Sequence, residues 1–162
     1  MRICAVLLLV ILFSCNERKP LQTGYEGKPL PSFDLLLNDS ITHFNTSNVP
    51  AGRPVVLFYF SPACPYCRAE MADIIKGISS MKQIQFYVFT SWPFAAMKYF
   101  YQHYQLEKYP NIAVGVDYKL SFQKHFKAYG VPYTAIYDAD RKLKHAYMGA
   151  IFSKQIREVA EK

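Results

Sequence analysis

Three hydrophobic textures follow one another along the chain. Ile3 to Phe13 is an unbroken apolar run. Residues 16–31 (NERKPLQTGYEGKPLP) carry three prolines and two glycines and show no apolar period. From residue 32 onward, short apolar runs alternate with helical stripes. Ser32–Leu37 and Ile41–Phe44 flank the turn-forming cluster Asn38-Asp39-Ser40, which predicts a leading β-hairpin. Pro54 to Phe60 (PVVLFYF) is apolar and aromatic throughout, as suits a central strand covered on both faces. Met71, Ile74, Ile75 and Ile78 then fall at i, i+3, i+4 and i+7, the stripe of an amphipathic helix.

Ile84–Phe89 predicts the next buried strand, and Pro93–Tyr104 a helix with its proline in the first turn. Ile112–Val116 predicts a strand, and Leu120–Tyr129 a helix stopped by Gly130. Tyr133–Tyr137 and Lys142–Met148 predict two strands joined by a turn at Asp138-Ala139-Asp140-Arg141. Ser153 is the expected N-cap of a last helix reaching Ala160. Strands alternating with helices and closing on a hairpin and a helix predict an α/β fold with a mixed central sheet. The expected organisation is a leader over 1–14, a tether over 15–31 and one domain over 32–162.

The leading run is eleven residues long. That is too short for a bilayer span, which needs ~20, but suits the apolar region of a secretory signal. Its end, Leu12-Phe13-Ser14-Cys15, resembles a bacterial lipobox, in which the cysteine is lipidated and the chain is cut before it. The resemblance implies a Cys15 anchor, an extracytoplasmic lipoprotein and a compartment where disulfides persist. The tether, if fully extended, would reach ~50 Å from the membrane.

Composition adds little beyond this. A hydrophobic fraction of 51% with 13 Tyr and 12 Phe is ample for a core. The net charge of +7 comes from Lys and Arg scattered without a dense run, so it reads as a solvated basic surface and not a nucleic-acid footprint.

The chemistry is carried by Cys64-Pro65-Tyr66-Cys67, at the junction of the most apolar strand and the helix after it. Two intervening residues let both sulfurs approach across one helical turn. The first cysteine lands at the helix N-terminus, where N–H groups and the dipole favour a thiolate. Pro65 fits the first turn, where its missing N–H has no intrahelical partner. Arg68 adds a positive charge one turn on. A zinc site would need further ligands, and the four histidines (His43, His103, His125, His145) show no paired spacing. No metal and no cofactor beyond the dithiol itself is expected.

With PVVLFYFSPACPYCRAEM, Gly130-Val131-Pro132-Tyr133-Thr134 and the 137–143 turn, residues from about 30 to 162 resemble the thioredoxin superfamily. The closer likeness is to its membrane-anchored TlpA/ResA-like thiol–disulfide oxidoreductases. The resemblance implies a thioredoxin-like fold with an N-terminal β-hairpin extension. It implies a cis Val131–Pro132 bond beside the dithiol, with the backbone before it pairing to client protein. Val131, Pro132, Pro65 and Tyr66 are thus the expected client-contacting residues. Two positions depart from the pattern. Ala63 stands where tryptophan is common, and Phe58 where thioredoxin has a buried aspartate, leaving the proton acceptor for Cys67 unassigned.

The implied reaction is exchange with client disulfides or thiols. Cys64 attacks, a mixed disulfide forms, and Cys67 resolves it. Reduction is the favoured direction, because anchored relatives of this layout mostly reduce; an unidentified partner must then recharge the dithiol. A DsbA-like oxidant and a Sco-like copper chaperone, using His125 or His145, are the alternatives.

Overall fold

The computed structural model describes residues 17–162; the expected leader and Cys15 lie outside the described residues. Seven strands form one sheet: β1 (Asp34–Leu37), β2 (His43–Asn45), β3 (Val55–Tyr59), β4 (Gln85–Thr90), β5 (Ile112–Val116), β6 (Tyr133–Tyr137) and β7 (Leu143–Met148). Their order is β2-β1-β5-β4-β3-β6-β7. β3 pairs parallel with β4, and β4 with β5; every other pairing is antiparallel. The mixed sheet and the leading hairpin stand as expected, in a thioredoxin-like fold. Helices are α1 (Pro65–Gly77), α2 (Phe94–His103), α3 (Ser121–Phe126) and α4 (Ser153–Glu161).

All five residues of β3 are buried, and their alternation sorts the core into two layers. Val56, Phe58 and Phe60 join Met71 and Ile74 of α1, Phe100 of α2 and Ile156 of α4 on one face. Val55, Leu57 and Tyr59 join Phe122 and Phe126 of α3 on the other. Both faces of the strand are dry, which is why its sequence has no polar alternation. α1 and α4 approach so closely that a Cβ on Gly77 would lie 2.7 Å from the Ser153 side chain.

The structure corrects three expectations. α3 ends at Phe126, because Lys127 takes a left-handed conformation (φ 50°) and closes the helix before Gly130 is reached. Ser153 is the first residue of α4 and not its cap; Phe152 is the N-cap, and the Ser153 N–H donates to Asp73 Oδ2 at 2.7 Å. Finally, the described part of the tether is not free. Leu21 bridges to Ala146 and Pro29 to Lys142, and the Leu21, Gly27 and Leu30 N–H groups donate to carbonyls of Ala146, Leu143 and Arg141. These bonds cover the open edge of β7, so a polar, proline-rich stretch does the work of an edge guard.

Candidate active site

Cys64 is the N-cap of α1, with extended backbone (φ −77°, ψ 121°), and Pro65 opens the helix. The Cys64 sulfur accepts the Cys67 N–H at 3.4 Å, so the reactive side chain occupies the capping position. Both cysteines are free thiols. Cys64 is half-buried, whereas Cys67, one turn into the helix, is fully buried against the core. Pro65 and Tyr66 are exposed beside them, Tyr66 at 67%.

The loop before β6 forms the opposite wall. Val131–Pro132 is a cis peptide, and the Cys64 thiol donates to the Val131 carbonyl at 3.8 Å. Val131 is half-buried and Pro132 buried. The structure thus brings Cys64, Cys67, Pro65, Tyr66, Val131 and Pro132 to one end of the sheet.

Burial pushes the Cys67 thiol well up from its ordinary range, and the neighbouring Cys64 and Glu70 push it the same way. The Ser61 N–H donates to its sulfur at 3.5 Å and offsets only part of this. Cys67 therefore needs a base before it can attack.

Sequence reasoning missed the group placed to be that base. Glu70 is fully buried one turn after Cys67 on the same face of α1. The Thr134 hydroxyl donates to its Oε1 at 2.6 Å, and the Ile151 N–H to its Oε2 at 3.3 Å. Desolvation outweighs these donors and raises its pKa to about 8. The sequence did hold a signal. Cys67, Glu70, Met71 and Ile74 fall at i, i+3, i+4 and i+7, so a carboxylate interrupts an otherwise apolar stripe.

The Redoxin family model matches residues 25–151. The chain belongs to the Redoxin family. That membership, with an accessible and a buried thiol at the head of α1, makes it a thioredoxin-like thiol–disulfide oxidoreductase. A protein of Haemophilus influenzae described only as uncharacterized is 31% identical over 134 residues, covering 80% of this chain and 85% of its own. Among solved structures, DsbF of Mycobacterium tuberculosis superposes with a TM-score of 0.66 at 19% identity, over 79% of this chain and 95% of its own. A secreted disulfide oxidoreductase of the same organism, homologous to Escherichia coli DsbE, gives 0.65 at 20% identity over 80% and 96%. StoA of Bacillus subtilis gives 0.59 at 12% over 80% and 96%. These likenesses establish the shared fold.

Among the described residues, no three His, Cys, Asp or Glu side chains gather as a metal site, and no helix is long and apolar enough to cross a membrane. His125 stacks on Tyr25 at 4.3 Å, and its neighbour Phe126 belongs to the core layer opposite the one that holds the cysteines.

Proposed function

We propose that this redoxin is an extracytoplasmic, lipid-anchored reductant of client protein disulfides, acting through Cys64 and Cys67 without a further cofactor. The observation that carries the reading is the pairing of a reachable Cys64 with a buried Cys67 that has its own buried carboxylate, Glu70. Cys64 thiolate attacks a client disulfide, forming the Cys64–client bond and releasing one client thiolate. The Cys67 thiol then gives its proton to Glu70 and attacks the Cys64 sulfur. The Cys64–Cys67 bond forms, the Cys64–client bond breaks, and the second client sulfur leaves and takes up a proton. A separate redox partner restores the dithiol. Client backbone is received at Val131 and Pro132, with Pro65 and Tyr66 as the adjoining exposed surface.

Reduction is favoured because the membrane-anchored TlpA/ResA-like oxidoreductases that this sequence resembles mostly act as reductants. Secretion of the Mycobacterium tuberculosis neighbour and the lipobox-like Cys15 support an extracytoplasmic setting. The anchored domain would sit close to the bilayer, because residues 18–30 are bound to β7 and α4 and do not extend.

Two assays together test the reading. The dithiol should reduce insulin disulfides catalytically, while an anaerobic copper(I) titration gives only weak binding. Tight copper binding without insulin reduction would favour a copper chaperone. Cys15→Ala should lose fatty-acid labelling and move from the membrane to the soluble fraction, since a buried acyl chain contributes about 0.8 kcal/mol per CH₂. A membrane-bound, unlabelled variant would remove the anchor.

A further inference from the structure

The turn between β7 and α4, Gly149-Ala150-Ile151, touches both halves of the site. The Gly149 N–H donates to the Pro132 carbonyl at 2.8 Å, and the Ile151 N–H donates to Glu70. Its outer side is covered by a residue the mechanism does not use. Arg18 Nε donates to the Ala150 carbonyl at 3.1 Å. The guanidinium lies flat over Gly149, where a Cβ would come within 2.8 Å of the central carbon. Gly149 has φ +89°, so the turn needs glycine for its backbone as well as for this approach. Arg18 is itself fixed by its backbone. Gln155 of α4 accepts from the Arg18 N–H at 3.2 Å and donates to its carbonyl at 2.6 Å.

We propose that Arg18 is a positioning residue for the resolving step: it braces the 149–151 turn, which holds Glu70 beside Cys67 and the Pro132 carbonyl in its place. The inference rests on the reading of Glu70 as the base for Cys67. It gives the N-terminal segment a part in the chemistry as well as in guarding the sheet edge.

The charge of Arg18 acts in the same sense as its hydrogen bonds. Glu70 is faced by Cys67 and Asp73 from α1, by the Thr134 hydroxyl from β6, by the Ile151 N–H from the turn, and by Arg18 from outside it. Arg18 is the cation of that set and favours the carboxylate, whereas Asp73 opposes it. Since Arg18 is exposed, solvent limits its field, and its removal should raise the Glu70 midpoint by about half a pH unit. At pH 7, that lowers the ionised fraction, and with it the resolving rate, about threefold.

The test uses the purified full chain, following Glu70 by carboxyl ¹³C resonance and mixed-disulfide resolution by stopped flow, across pH. Arg18→Ala should raise the Glu70 midpoint and shift the rate profile equally; Arg18→Lys should restore part of the shift. Gln155→Leu, which frees the Arg18 backbone without touching the reacting groups, should move the profile in the same direction. An unchanged midpoint and profile in Arg18→Ala would overturn the role of Arg18. If Glu70→Gln also left the profile unchanged, the reading of Glu70 itself would fail, so the two failures are distinct.

Discussion

Replacing Cys64 with serine is expected to abolish disulfide exchange completely, while Cys67→Ser leaves the first step running and stops the second. The difference follows from position. Cys64 is half-buried at the helix N-terminus, so it can reach a client sulfur; Cys67 is fully buried and can reach only Cys64. The Cys67→Ser protein should therefore accumulate as a stable mixed disulfide, releasable by dithiothreitol and identifiable by mass spectrometry. In the reduced wild type, iodoacetamide should modify Cys64 and spare Cys67 until the protein unfolds. Equal labelling of the two thiols, or trapped clients on a Cys64→Ser background, would reverse the assignment of attacking and resolving cysteine.

Glu70→Gln is expected to slow the resolving step by about 10²-fold where the carboxylate is ionised, the usual scale for a positioned proton acceptor. Its pH dependence carries the sign. With the carboxyl raised to about 8, the wild-type rate should climb with pH below 8 and level off above it. The glutamine variant should lack that break. Stability should show the converse. Because the folded pKa lies above the ordinary 4.5, Glu70 favours the folded state most below pH 4.5, and that contribution is lost as pH rises through about 8. Wild type should thus lose on the order of 1–4 kcal/mol between pH 5 and 8 that Glu70→Gln does not lose. Urea titrations of both proteins at the two pH values measure it, and parallel curves would mean the carboxyl is not raised by burial.

Much of the architecture was legible because local pattern and tertiary burial agree. The run Pro54–Phe60 lies between two dry layers, and the Asn38-Asp39-Ser40 cluster turns the hairpin that was expected of it. The Cys64–Cys67 dithiol was legible for the same reason: one spacing, at one strand–helix junction, fixes both roles. Glu70 was not, because the buried aspartate of thioredoxin corresponds to a position on β3, which Phe58 fills here. The buried space is filled instead from α1, and its partners Thr134 and Ile151 come from segments far along the chain. The docking of the tether was hidden for a different reason. Residues 21–30 bind β7 through backbone groups, and the side chains that pack on the core, Leu21, Tyr25 and Leu30, are spaced without a helical or strand period. Lys127 closes α3 in a conformation that composition does not favour for lysine, so Gly130 looked like the stop.

In the proposed function the Cys64–Cys67 couple gives electrons to its clients. Its most direct test is the reduction potential of that couple, equilibrated against glutathione or dithiothreitol buffers and read by differential alkylation. A value of about −270 mV, the thioredoxin range, is expected; a value of about −120 mV, the range of DsbA, would rule out the reductant and mark the protein as an oxidant.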